Sequence, residues 1–202
     1  MTPARRLVLA AAALATATVV ALTGCANQEA GSAVTFTDGR ISDSELSEAV
    51  ADILTAKGQS TSTPDAALVQ QTLGRMISQR MVSQLAVQEG IEVTQGQVDE
   101  MRANYEAQVG GAEALDGVFL RENIAPSQVE SVLRLQLEAQ ELGYVFNPRG
   151  SAEEQGLAVF QRASALSEEL ETTVSPRFGT WDPATLSLGA APADLSTPPA
   201  LG

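Results

Sequence analysis

Residues 64–90 read Pro64-Asp65-Ala66-Ala67-Leu68-Val69-Gln70-Gln71-Thr72-Leu73-Gly74-Arg75-Met76-Ile77-Ser78-Gln79-Arg80-Met81-Val82-Ser83-Gln84-Leu85-Ala86-Val87-Gln88-Glu89-Gly90. Leu68, Thr72, Leu73, Met76, Ile77, Met81, Leu85 and Val87 recur three and four apart, the period of a helix with one buried face. Pro64 suits a first helical position, where its missing N–H costs nothing. Gly90 suits a stop. A helix this long needs partners to cover its apolar side, and the flanking sequence supplies them.

Upstream, Ser42-Asp43-Ser44-Glu45 is a capping box, in which hydroxyl and carboxylate satisfy each other's orphan amides. It opens a helix carrying Leu46, Val50, Ile53 and Leu54, ending near Lys57-Gly58. Before it, Ala33 to Thr37 alternates apolar and polar and meets the turn pair Asp38-Gly39, as a short strand does. Downstream, Thr94-Gln95-Gly96-Gln97 is a second capping box. Its helix holds Val98, Met101 and Tyr105 and closes at Gly110-Gly111. A short helix with Leu115 and Phe119 follows. Pro126 starts another, with Val129, Val132, Leu133, Leu137 and Tyr144.

Asn147-Pro148-Arg149-Gly150 breaks the chain. Ser151-Ala152-Glu153-Glu154 then caps a helix whose apolar residues are Leu157, Phe160, Leu166 and Leu170. Thr172 to Phe178 is β-branched with a proline, the composition of an edge strand. Trp181 is read as pinning this returning segment to the helices, since a large aromatic favours burial. The expected fold is therefore mostly α, closed by a two-stranded pairing of N- and C-terminal segments. Residues 33–188 form its domain, with 25–32 a small, polar tether and 189–202 a disordered Ala/Pro/Gly tail.

The N-terminus carries the localisation. Met1 to Arg6 holds two positive charges, and Leu7 to Leu22 is an uncharged apolar run of 16 residues. Leu22-Thr23-Gly24-Cys25 follows, ending in the single cysteine of the chain. This is the three-part layout of an export signal, and its apolar run is shorter than the roughly 20 residues that span a bilayer. The tetrapeptide resembles a bacterial lipobox, which implies cleavage after residue 24 and a diacylglyceryl group on Cys25. Two acyl chains anchor stably where one does not. The expected location is the outer face of the cell membrane.

Cleavage at that point leaves ten basic against 25 acidic residues, a formal charge of −15. Such a surface disfavours nucleic acid and anionic lipid. The sequence contains no histidine, so zinc sites and Ser-His or Cys-His catalysis lack their residues. Paired acids such as Asp99-Glu100 and Glu168-Glu169 lack the alternating oxygen ligands of a calcium loop. The expectation is a non-enzymatic protein with no cofactor and no metal.

Three patterns carry a resemblance across Val34 to Phe146. They are Asp38-Gly39-Arg40-Ile41-Ser42 entering a helix; Met76 to Ala86 running on to Glu89-Gly90-Ile91-Glu92-Val93-Thr94; and the Gly110-Gly111 helix followed by Asn123-Ile124-Ala125-Pro126 and a long helix. In this order they resemble the N-terminal chaperone domain of SurA/PrsA-like extracytoplasmic folding factors. The parvulin isomerase domain usual in that family has no counterpart after Asn147, so isomerase activity is not carried over. The resemblance implies a lipid-anchored holdase for unfolded or extended exported polypeptides, anchored to the membrane through Cys25. Met76, Met81, Met101, Tyr105, Phe119, Tyr144 and Phe146 are the candidate client-binding residues, methionine being adaptable to varied apolar partners. The alternative is an interaction lipoprotein holding one envelope partner on the same scaffold.

Overall fold

The computed structural model describes residues 31–191. Cys25, the export segment, most of the expected tether and nearly all of the expected tail lie outside the described residues. Ser32, placed in the tether by its composition, opens the first strand and is buried. Gly189, expected to begin the tail, still donates its N–H to Thr180 O at 2.8 Å.

The described chain is predominantly α-helical, with two small antiparallel sheets. It runs β1 (Ser32–Phe36), β2 (Gly39–Ser42), α1 (Asp43–Ala56), α2 (Ala66–Gln88), α3 (Gln95–Val109), α4 (Ala112–Arg121), α5 (Val129–Phe146), α6 (Ala152–Glu169), β3 (Thr173–Val174), β4 (Trp181–Asp182) and β5 (Ser187–Leu188), with 3₁₀ turns at Pro126–Gln128 and Pro176–Phe178.

The N- and C-terminal segments do pair, Val34 opposite Val174 and Thr35 opposite Thr173. The sheet has three strands rather than two, in the order β2-β1-β3. The Thr37-Asp38 turn sends the chain straight back, so Ile41 pairs with Val34 and Gly39 with Phe36 before α1 begins. The expected edge strand over 172–178 shortens to Thr173–Val174, because Pro176 lacks an N–H and nucleates a 3₁₀ turn instead. The remainder forms the separate β4–β5 hairpin, with Trp181 opposite Leu188.

All three capping boxes are present, at Ser42/Glu45, Thr94/Gln97 and Ser151/Glu154. At α2 the helix starts later than Pro64. Asp65 is the N-cap, its carboxylate accepting the Ala67 N–H at 2.7 Å, which satisfies a donor that Pro64 cannot reach. Glu45 and Glu154 are held below the usual carboxylate value of 4.5, first by the Ser42 and Ser151 backbone N–H groups and then by the same serines' side chains. A carboxylate lowered on folding contributes stability above its ordinary pKa and loses it as pH falls through the folded value. Glu45→Ala should therefore lower Tm by about 2–4 °C at pH 7. Thermal melts should show that gap closing as the buffer is taken from pH 6 to pH 3; a gap unchanged at pH 3 would assign the loss to packing alone.

Most buried side chains form one cluster. Val34, Phe36 and Ile41 of the sheet meet Leu46, Val50 and Leu54 of α1, Leu73, Ile77, Met81 and Leu85 of α2, Leu142 of α5, and Val159, Ala163, Leu166 and Leu170 of α6. Of the four apolar residues expected on this helix, Leu166 and the C-cap residue Leu170 are buried; Leu157 is 54% exposed and Phe160 is exposed as well. The buried stripe runs instead through Val159, Ala163, Leu166 and Ser167. Close approach of α5 and α6 explains the small residues on it. An added Cβ at Gly143 would stand 2.9 Å from Gln155 Cβ, so the two helices touch where only glycine fits.

Trp181 sits against α6 as expected. Its Nε1–H donates to Ser167 Oγ at 2.8 Å, and Ser167 Oγ in turn donates to Thr172 Oγ1 at 3.0 Å. Gln70 Nε2 holds the Phe178 carbonyl at 3.0 Å, and Arg177 pairs with Asp43. The returning segment is thus fastened to α1, α2 and α6.

Candidate binding surface

A second, smaller cluster lies between α3, α4 and α5. Val98, Val129 and Leu133 are fully buried there. Val93, Met101, Tyr105, Phe119, Ile124 and Leu137 pack on them while keeping part of their surface in solvent. Three sealed residues and six half-open ones make a thin apolar layer, in contrast to the closed larger core. Gly110 (φ 99°) and Gly111 (φ 116°) let the chain reverse between α3 and α4 in a left-handed conformation that other residues resist.

Polar contacts set the shape of this layer. Arg102 on α3 binds Glu106 at 2.8 Å and Asp116 on α4 at 3.1 Å, tying the two helices together. The hydrogen bond to Glu106 is the main reason its guanidinium is held still more firmly protonated. Arg134 on α5 donates to the Val93 carbonyl and to Gln95 Oε1, both at 2.7 Å, fixing the start of α3 against α5. Gln136 Nε2 donates to Tyr105 Oη at 2.8 Å and orients that ring. Between α3 and α5 lies a recess of about 270 Å³ lined by Gln97, Glu100, Met101, Asn104, Tyr105 and Leu137.

The seven candidate residues do not share one cleft. Met101 and Tyr105 line this recess, and Phe119 belongs to the same cluster. Met81 is completely buried in the larger core and presents no surface to a client, because α2 is covered on that face by the sheet, α1 and α6. Met76 is half-buried beside β2, in a groove that also includes Ile41 and Val87. Phe146 packs against the larger core with the Arg162 guanidinium 5.1 Å from its ring centre. Tyr144, expected inward on α5, is 59% exposed, since Leu142 and Gly143 take the buried positions. The polar rim of the recess was not among the candidates. Its signal is in the sequence: Gln97, Glu100-Met101 and Asn104-Tyr105 recur at helical spacing around the two apolar residues.

The returning segment bears on whether a groove is open. Its strands and turns pack on β1, α2 and α6, and none of its residues lines the α3–α5 recess. Among the described residues no group of His, Cys, Asp or Glu side chains is placed to hold a metal, and no helix is long and apolar enough to cross a membrane. No family model, curated protein or solved structure matches this chain.

Proposed function

We propose that this chain is a lipid-anchored extracytoplasmic holdase on a SurA-N-like scaffold, binding unfolded or extended exported polypeptides without isomerising them. The observation that supports this reading most is the half-open apolar layer of α3, α4 and α5, which the returning segment leaves uncovered. Its Met101, Tyr105 and Leu137 offer apolar contact to one or two client side chains. Gln97, Glu100 and Asn104 offer hydrogen-bonding groups to a client backbone. A recess of this size admits single side chains, and an adaptable methionine on its wall suits varied ones. The lipobox at Leu22 to Cys25 supplies the location, where exported chains emerge.

The test is suppression of aggregation of a denatured exported protein by the purified chain at equimolar ratio. Met101→Glu should raise the amount needed for half-suppression about tenfold, the equivalent of about 1.4 kcal/mol. Leu157→Glu, on the exposed side of α6, should leave it unchanged. Circular dichroism of both variants checks that the helices are retained. If the wild-type chain leaves aggregation untouched while one envelope protein co-purifies with it in stoichiometric amount, the interaction-lipoprotein reading replaces this one.

A further inference from the structure

Cations are few on this acidic domain, and most of those placed between elements have carboxylate partners. Arg80, Arg102, Arg134 and Arg177 each meet an aspartate or glutamate. Lys57 and Arg75 differ. Neither has a carboxylate partner among the described residues, and both bind the same residue, Asn123. Lys57 Nζ donates to Asn123 Oδ1. Arg75 Nη1 donates to the Asn123 carbonyl at 2.7 Å, and its Nη2 to Gln128 Oε1 at 3.0 Å. Asn123 Nδ2 donates in turn to Gln71 Oε1 at 2.7 Å. Every acceptor in this cluster is neutral.

Burial lowers the pKa of Arg75, since no carboxylate there makes up for its lost hydration. Both side chains are half-buried; charges withdrawn from water are ordinarily paired, and here two cations converge on neutral acceptors. Asn123 itself sits at φ 59°, a left-handed position that asparagine tolerates better than most residues. That conformation lets its side chain meet Lys57 while its carbonyl meets Arg75.

Lys57 and Asn123 lie on the wall of a cavity of about 530 Å³ between the end of α1 and the start of α2. Gln59, Ser60, Thr63 and Gln71 add amide and hydroxyl groups to the same wall, and Asp65 stands there too, one oxygen committed to capping α2. We propose that this cavity binds a carboxylate group at Lys57, with Arg75 behind Asn123 adding its field. A singly charged carboxylate fits better than a phosphate dianion, because Asp65 and the net charge of the domain repel a second negative charge. The carboxylate belongs either to the free end of a polypeptide or to a small organic acid. This site is separate from the α3–α5 recess, and it stands whether or not the chain is a holdase.

Lys57 is the only lysine in the sequence, which makes its ammonium a unique reporter. The purified full chain is treated with an amine-acetylating reagent and the rate at Lys57 is followed by peptide mass spectrometry, at ionic strength held constant with sodium chloride. Acetate and a short peptide ending in a free carboxylate should each slow acetylation by up to about threefold at twice their Kd. The same peptide with an amidated end should not, and Arg75→Gln should reduce the protection by acetate. Protection by the acid-ended peptide at far lower concentration than acetate assigns the site to chain ends; comparable potency assigns it to small acids. The proposal is overturned if neither carboxylate protects Lys57, if the amidated peptide protects as well as the acid, or if inorganic phosphate protects at lower concentration than acetate.

Discussion

Trp181→Ala should lower the stability of the domain by about 3–5 kcal/mol, a fall in Tm of roughly 10–15 °C for a domain of this size. The indole is buried and belongs to the larger core. Its loss leaves a cavity where the returning segment meets α6, and it also strips the donor from Ser167 Oγ in a buried setting. The consequence reaches beyond the local contact. β3 adds the third strand to β1, and β4–β5 lies on α2, so the indole helps hold both ends of the chain on the helices. Trp181→Phe separates the two contributions. It keeps most of the apolar area, leaves Ser167 and Thr172 bonded to each other, and should cost about 1 kcal/mol for the missing hydrogen bond. Thermal melts followed by circular dichroism measure both. A Trp181→Ala variant melting within a degree or two of the wild type would mean that the segment is not held by this residue.

On the proposed lipid anchor, Cys25→Ser should abolish lipid labelling outright. Cells fed an alkyne-bearing fatty acid should label the wild-type chain on one peptide beginning at Cys25, and label the variant not at all. The sulfur is the atom that would take the diacylglyceryl group, as a thioether, and the sequence has no second cysteine to substitute for it. The variant should also run larger, retaining residues 1–24, since a lipobox is cleaved only after modification. Fractionation alone is a poor readout, because the uncleaved apolar run of 16 residues retains some affinity for membranes. Label persisting in Cys25→Ser, or absent from the wild type, would count against the anchor and remove the location on which the holdase proposal depends.

Local features were legible because they depend on neighbours in sequence. Each capping box needs only residues three apart, and Gly110-Gly111 or Asn147 to Gly150 breaks a helix in any context. The pairing of the two terminal segments, though not its register, was legible for a different reason: two short β-branched segments at opposite ends of a helical chain have few other partners. Burial was less legible. The apolar size of Leu157 and Phe160 suggested a buried face of α6, whereas packing in the larger core buries Val159, Ala163 and Leu166, and Ser167 is buried under Trp181. Met81 and Met101 carry the same side chain at similar helical spacing, yet one is sealed in the larger core and the other opens on the recess.

The sequence by itself determined the helical character, the capped starts of α1, α3 and α6, and the absence of histidine. These follow from local periodicity, from hydrogen bonds within one turn, and from composition. Only the tertiary structure decided that there are two apolar clusters, that the returning segment covers one and not the other, and that Lys57 and Arg75 meet at Asn123. Those depend on which faces of distant helices come together. Residues 57, 75 and 123 are brought to one point by packing across three segments, a juxtaposition that no spacing along the chain encodes.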